Sequence, residues 1–191
     1  CPALAAARAV PQADMDPTLL ALMVWTDARR VLEAAGGAAP NCGEFCTTEL
    51  REAMLPPASM AQVQALETHA GDTDDKWLAS VRRAAEAVVP ALASSVPADS
   101  DVTPATADDL VATALRVNNN AYSCSSRTGL TGLAVGLWPA LSVLNHSCAP
   151  NAQQYGGGHG VVAVRALQDI PKGKEVCTTY IELYSSKEIR Q

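Results

Sequence analysis

Apolar side chains recur at the spacing of one helix face in the first half of the chain, which predicts an array of amphipathic helices. Residues that can cap these helices precede the apolar stripes: Asp16, Ser59, Asp72 and Thr106. The stripe after Asp16 is expected to end at Gly36 and Gly37, because glycine favours helix termination. Pro90 is expected to kink the helix that follows Asp72.

The pattern changes after Asn118, where short β-branched runs replace the helical stripes. The runs at 161–167 and 176–181 predict strands. The three glycines at 156–158 and the Pro-Lys-Gly step at 171–173 predict the turns between strands. Helices followed by strands indicate an α+β fold, with an antiparallel sheet in the second half of the chain.

Composition and charge narrow the range of possible functions. Apolar residues make up 48% and charged residues 18%, a balance typical of a folded chain rather than a disordered one. Because 14 Lys and Arg stand against 20 Asp and Glu, the net charge is −6, and direct nucleic-acid binding is not expected. No run of about 18 apolar residues occurs, so no membrane span is expected either.

The cysteines indicate the redox compartment of the protein, and the first residue indicates how the chain arose. Six cysteines in 191 residues show no dense disulfide spacing, so we expect reduced thiols in an intracellular protein. Because the sequence opens at Cys1 without an initiator Met, we expect a fragment or a processed product.

A polar segment, Leu144–Asn151 (LNHSCAPN), lies between two apolar stretches. Burying Asn, His and Ser costs about 1–3 kcal/mol each unless these residues are hydrogen-bonded. On composition alone, the segment is most simply a capped turn in which Asn145 and Ser147 satisfy backbone groups before Pro150.

The order and spacing of motifs from Leu137 to Ile181 resemble the C-terminal half of a SET domain of the SMYD type. The string NHSCAPN is followed by VAVRALQDIPKGKEVCTTYI, which is similar to that family's Arg-Ala, Asp-Ile and Tyr-bearing steps. Lys174 departs from the pattern, because an acidic residue is common there. The resemblance implies a helical SET insertion over 1–117, the C-terminal half of the antiparallel SET core over 118–184, and the start of a post-SET segment over 185–191.

The same resemblance implies a protein-lysine N-methyltransferase that transfers a methyl group from S-adenosylmethionine to a histone or another lysine-bearing protein, in the nucleus, the cytoplasm or both. Tyr180 matches the catalytic tyrosine and a cofactor-contacting position. The other implied cofactor-contacting positions are Asn120, Ser142, Leu144, Asn145 and His146. An amide such as that of Asn145 offers donors and acceptors, which suits a ligand with an ammonium and a carboxylate.

Two cysteines match zinc ligands of the family. The resemblance implies that Cys148 joins three cysteines from a segment after the SET core, and that Cys1 is the last ligand of a preceding zinc finger. The partner ligands are not found in the sequence, so both zinc sites are incomplete in this chain. Cys42 and Cys46 have no matching second pair and are expected to be ordinary thiols.

Two other functions stay open. A noncatalytic interaction or regulatory module would keep the SET scaffold without turnover, and the absence of the family's glycine-containing cofactor strands from this sequence favours it. A thiol hydrolase would use Cys148 or Cys1 as nucleophile and His146 or His159 as base. It is the weaker alternative, because side chains two residues apart on a strand seldom align for proton transfer and His159 follows the predicted glycine turn.

Overall fold

The computed structural model describes residues 16–37, 55, 58–98, 100–125, 132–158, 161–181 and 183. The chain divides into two compact units, Cys1–Asn41 with Leu55–Ala121 and Cys42–Met54 with Tyr122–Gln191. The described part of the first unit is helical, and the second unit carries most of the described strand residues.

The helices of the first unit are α1 (Pro17–Ala34), α2 (Met60–Gln64), α3 (Asp75–Ala93) and α4 (Ala107–Asn120). Helix α4 packs against both α1 and α3. Apolar side chains from these three helices form the core of the unit, and each is at most 8% exposed: Leu20, Met23, Val24, Val81, Val88, Leu110, Val111, Ala114 and Leu115. The helical array predicted from the apolar stripes is confirmed.

Side-chain capping explains where α1 and α4 begin. The Asp16 carboxylate accepts hydrogen bonds from two backbone N–H groups of α1, at 2.7 and 3.1 Å. Thr106 and Asp109 form a capping box at the start of α4. Because the hydrogen bonds from Thr106 favour the ionised carboxylate, they lower the pKa of Asp109. The capping predictions for Asp16, Ser59 and Thr106 are confirmed.

The predicted cap at Asp72 is wrong, because α3 begins two residues later than the sequence suggested. Asp74 is the N-cap, and its carboxylate accepts the Trp77 backbone N–H at 2.9 Å. Asp72 instead ends a short 3₁₀ helix, Ala70–Asp72, which follows the left-handed backbone of His69 (φ 47°). Helix α3 then runs through Pro90 to Ala93.

The described strands are β1 (Ala121–Ser125), β2 (Gly132–Leu137), β3 (Asn145–His146), β4 (Ala152–Gly158), β5 (Val161–Ala166) and β6 (Cys177–Thr178), with a short helix α5 (Pro139–Ser142) before β3. They form three two-stranded sheets, β1 with β2, β3 with β6, and β4 with β5. The β4–β5 pair is antiparallel and the β3–β6 pair is parallel. The predicted α+β class is confirmed, and the parallel pair is a feature that the sequence did not predict.

One turn prediction and one strand prediction need correction, and a second turn prediction holds. The glycines at 156–158 belong to β4, where the register shifts between Gly156 and Gly158, so they form a strand irregularity instead of a turn. The run at 176–181 is a strand only at Cys177–Thr178, because only these residues pair with β3. The turn at 171–173 is confirmed: the Lys174 N–H donates to the Pro171 carbonyl at 3.0 Å, and Gly173 has the positive φ of 85° that a type II turn requires.

Within the described residues, no helix combines the length and the apolar character that crossing a bilayer demands.

Candidate active site

Two of the predicted site residues, Asn145 and His146, form β3, which pairs in parallel with β6. Asn145 stands opposite Cys177, and His146 stands opposite Thr178. The Ser147 N–H continues the pairing by donating to the Thr178 carbonyl at 2.8 Å. The pairing therefore places the Asn-His step beside the segment that leads into Tyr180.

His146 holds the backbone of Tyr180. The Tyr180 N–H donates to His146 Nδ1 at 3.0 Å, and the two ring centroids lie 5.5 Å apart. Because Nδ1 acts as the acceptor, the neutral imidazole carries its proton on Nε2. Nε2 lies 3.4 Å from Cys148 Sγ and is therefore the donor toward the sulfur.

This tautomer bears on the thiol-hydrolase alternative. The sequence predicts that His146 and Cys148 do not align for proton transfer. Their side chains are nevertheless in contact, so distance alone does not exclude a transfer between them. A general base must accept a proton at the atom that faces the nucleophile. Nε2 already carries its proton while Nδ1 accepts from Tyr180, so the arrangement does not provide that base. The other predicted residues of this alternative, Cys1 and His159, lie outside the described residues.

The Tyr180 side chain lies against two other groups of the second unit. Its hydroxyl donates to the Leu144 carbonyl, and its ring meets the Tyr122 ring edge-on with centroids 6.4 Å apart. The Tyr122 hydroxyl donates weakly to the Leu141 carbonyl at 3.4 Å. Burial, with a smaller contribution from Tyr180, raises the pKa of Tyr122 to about 12. Tyr122 thus stays a neutral aromatic neighbour of Tyr180 at physiological pH.

Glu175 and Asn151 join the site, although the sequence did not single them out. Asn145 Nδ2 donates to Glu175 Oε1 at 2.5 Å. The Asn151 amide donates to the Glu175 carbonyl and accepts from the Cys177 N–H, both at 2.8 Å. Asn151 is 8% exposed and so anchors the start of β6 from a buried position. The signals available in the sequence were the last residue of NHSCAPN and an acid two residues after the turn predicted at 171–173.

The remaining predicted cofactor positions lie on helix ends. The Ser142 hydroxyl, in the last residue of α5, donates to the Trp138 carbonyl at 3.1 Å. The Asn120 amide ends α4 in the first unit and donates to the carbonyls of Glu67 and Arg116, at 2.9 and 2.8 Å. Cofactor contact at Ser142 and Asn120 stays a prediction.

The described residues do not fit a zinc ion. Across the described ranges, no three His, Cys, Asp or Glu side chains come together as metal ligands. Cys148 is an exposed free thiol with His146 beside it. Cys1, Cys42, Cys46 and the segment 185–191 lie outside the described residues.

The β3 residues suit a small polar ligand. Asn145 is exposed, and its Nδ2 is held by Glu175. In the described part of the chain, no hydrogen bond uses Asn145 Oδ1, so this oxygen is open to a donor from a ligand. An open amide oxygen next to a fixed imidazole and a tyrosine fits the donor and acceptor groups of an amino-acid moiety.

The fold and this site define an α+β domain in which a short parallel strand pair presents an Asn-His step to a tyrosine. The family model described as "SET domain" matches residues 66–181, more than half of the chain. The chain belongs to the SET domain family.

Several curated proteins are similar to part of the chain. The SET domain-containing protein SmydA-8, isoform A, of Drosophila melanogaster is 41% identical over 68 residues, which cover 35% of this chain and 15% of that protein. The histone-lysine N-methyltransferase ASHR2 of Arabidopsis thaliana is 35% identical over 66 residues, covering 30% and 17%. The human N-lysine methyltransferase SMYD2 is 37% identical over 84 residues, covering 44% and 19%. The similarity is thus to SMYD-type SET proteins, over less than a fifth of each relative's length.

Proposed function

We propose that the chain is part of a protein-lysine N-methyltransferase that uses S-adenosylmethionine. The observation that carries the proposal is the clustering of Asn145, His146 and Tyr180 through the β3–β6 pair and the Tyr180 N–H to His146 contact. Two similar proteins, ASHR2 and SMYD2, are named as lysine methyltransferases, which supports the same activity here.

Asn145 and His146 would hold the cofactor, with Leu144 and Ser142 of the same unit as further proposed contacts. When bound, S-adenosylmethionine supplies a methyl group attached to a positively charged sulfur. Asn145 contributes the acceptor Oδ1, while His146 contributes the orientation of the adjoining backbone.

Tyr180 is the proposed catalytic residue. Because its hydroxyl hydrogen is directed to the Leu144 carbonyl, the hydroxyl oxygen keeps lone pairs that can accept an N–H from a substrate amine. This bond would orient the amine, and orientation of reacting groups accounts for a large share of many enzymatic rates. The Leu144 carbonyl and the Tyr122 ring hold the phenol in place.

The substrate lysine must lose a proton before it can act as a nucleophile. Its ordinary pKa of about 10.4 makes the neutral amine scarce at neutral pH, and desolvation lowers that pKa. The rings of Tyr122 and Tyr180 provide apolar surface on which the lysine side chain can be desolvated. We infer that the substrate is a histone or another protein with an accessible lysine.

The proposal also covers the cellular compartment of the protein and the binding of zinc. The free thiols of Cys148 and Cys177 support a reducing compartment, in the nucleus, the cytoplasm or both. Zinc binding by Cys148 and Cys1 would need ligands outside the described residues, and no part of the mechanism depends on it.

The test is transfer of a labelled methyl group from S-adenosylmethionine to histones and to lysine peptides by the full-length protein. We expect labelled lysine with the wild type and no label when the target lysine is replaced by arginine. Absence of transfer by a folded protein that binds the cofactor would refute the enzymatic proposal.

A noncatalytic SET scaffold is the second candidate. The observation that favours it is the exposure of Tyr180, 54% of whose surface is accessible, whereas a desolvated amine needs an enclosed channel. Calorimetry with the cofactor separates the two candidates. An enzyme binds it and binds it more weakly after Asn145→Ala, while a scaffold of this kind does not bind it.

A further inference from the structure

We propose that Glu175 is a positioning residue that determines which end of the Asn145 amide faces the cofactor, an inference that rests on the proposed function. Asn145 Nδ2 lies 2.5 Å from Glu175 Oε1, so the two side chains form a short charge-assisted hydrogen bond. Neither the motif resemblance nor the comparisons assign a role to this glutamate.

The chemistry of the pair fixes the direction of the amide. An ionised carboxylate can only accept hydrogen bonds, so the neighbouring amide must turn its NH₂ group toward it. A flipped amide would place Asn145 Oδ1 against Glu175 Oε1, with two acceptors facing each other. The carboxylate therefore keeps Oδ1 pointing away from Glu175, where it can accept from a ligand.

The backbone that carries Glu175 is held on both sides by the residues around it. Residue 175 follows directly after the Pro171–Lys174 turn, whose Gly173 has a φ of 85°. The buried amide of Asn151 then binds the carbonyl of Glu175 and the N–H of Cys177, at 2.8 Å each. The backbone on both sides of Glu175 is thus held before its side chain reaches Asn145.

The ligand group that matches this arrangement is a cationic hydrogen-bond donor. Oδ1 accepts a hydrogen bond, and the Glu175 charge behind the amide favours a positive group in front of it. The α-ammonium of an S-adenosyl amino acid is such a group. Glu175 would therefore act through Asn145 to select cofactors that carry the amino group.

The experiment is calorimetric binding of S-adenosylhomocysteine and of its deamino analogue, which requires no turnover. We expect Glu175→Gln to raise the Kd of S-adenosylhomocysteine about 10-fold, because losing a hydrogen bond to a charged group lowers affinity by about that factor. The deamino analogue should bind the wild type and the variant within about 2-fold of each other, because it lacks the donor that Oδ1 accepts.

A double-mutant cycle separates positioning from general structural damage. If Glu175 acts through Asn145, Glu175→Gln should have little further effect in an Asn145→Ala background. Asp169→Asn is the matched control, because it removes the same charge from an exposed acid of the same unit. We expect this control to keep the affinity and the amino-group preference of the wild type.

The outcomes distinguish the inference from the proposed function. If the wild type binds neither ligand, the proposed function fails. If it binds and Glu175→Gln keeps the amino-group preference, or if the two substitutions are additive, the inference alone is overturned. Should Glu175→Gln not fold, Glu175→Asp keeps the charge but withdraws the carboxylate by one methylene. The inference then predicts that Glu175→Asp also loses the amino-group preference. If Glu175→Asp keeps that preference, the inference is overturned.

Discussion

At the scale of single residues, each ring nitrogen of His146 makes a separate contact within the site. Nδ1 accepts the Tyr180 N–H and Nε2 faces the Cys148 sulfur, so the ring cannot rotate without losing both contacts. The imidazole therefore positions the Tyr180 backbone while the Leu144 carbonyl positions the Tyr180 hydroxyl. Two independent contacts thus fix the phenol that the proposed mechanism requires.

Replacing Tyr180 by Phe tests the role of the hydroxyl. The ring contacts with His146 and Tyr122 are retained, but the oxygen that would orient the lysine amine is removed. We expect kcat to fall about 100-fold or more, as for other losses of orientation, while the Kd for the cofactor changes little. Steady-state transfer assays and calorimetry measure the two quantities. An unchanged kcat would refute the catalytic role of Tyr180.

Tyr122 makes stability depend on alkaline pH. Its pKa is raised from 10.0 to about 12, chiefly by burial. Below about pH 10 the folded and unfolded states both keep the proton, so the contribution to stability is complete. Between about pH 10 and 12 the unfolded state loses the proton more readily, so stability falls as the pH rises.

We therefore expect the free energy of unfolding of the wild type to decline more steeply than that of Tyr122→Phe between about pH 10 and 12. Urea unfolding followed by circular dichroism measures both slopes. Parallel slopes for the two proteins would show that Tyr122 is not the group responsible.

At the scale of elements, local signals account for most helix starts, and their limits are visible in α3. Asp16 and Thr106 cap helices as expected because each contact spans at most three residues. The sequence pattern alone does not distinguish Asp72 from Asp74 as the cap of α3, because both acids precede the apolar stripe. In the structure Asp74 is the N-cap, and Asp72 ends a 3₁₀ helix that follows the left-handed backbone of His69. That conformation is uncommon for a residue other than glycine, and no local pattern announces it.

The capping box of α4 provides a direct stability test. Thr106→Ala removes the hydroxyl that accepts the Asp109 N–H, at 3.2 Å. We expect the free energy of unfolding to fall by about 1 kcal/mol, with Thr106→Ser close to the wild type because it keeps the hydroxyl. Chemical denaturation compares the three proteins. Equal losses for Ala and Ser would point to the methyl group instead of the cap.

Helix α3 carries an internal proline whose replacement should stabilise the first unit. Pro90 is exposed and has no N–H to donate to the preceding turn. Pro90→Ala restores that donor, and we expect a gain of about 1–3 kcal/mol, reduced somewhat by the greater freedom of the unfolded chain. Thermal and urea unfolding measure the change. Glu86→Gln on the same exposed face is the control. If Pro90→Ala is no more stable than this control, the prediction is contradicted.

At the scale of the whole molecule, the site depends on contacts that no local pattern encodes. Asn145 and Glu175 stand 30 residues apart in sequence and meet through their side chains. The motif resemblance pointed to Asn145, His146 and Tyr180 because their spacing is distinctive. It did not reveal Glu175 or Asn151, since their roles follow from the pairing of β3 with β6. For the same reason, only two residues of the run at 176–181 form a strand, since only these two pair with β3.

The charge of this chain predicts how salt affects the binding of a basic substrate. The net charge is −6, so long-range attraction should favour Lys- and Arg-rich peptides. We expect KM for such a peptide to rise about tenfold between low and high salt. A peptide with the same lysine in an acidic context should show no such rise, and equal salt dependence for both peptides would contradict the prediction.

The parallel pairing of β3 and β6 also bears on the order in which the second unit folds. The β4–β5 hairpin lies between these strands in sequence, and its register joins Ala152 to Ala166. Once the hairpin has closed, the loop left to close between β3 and β6 is much shorter, which reduces its entropic cost. The hairpin should therefore form first, and the cluster around Tyr180 should be among the last parts of the unit to gain protection from hydrogen exchange during refolding.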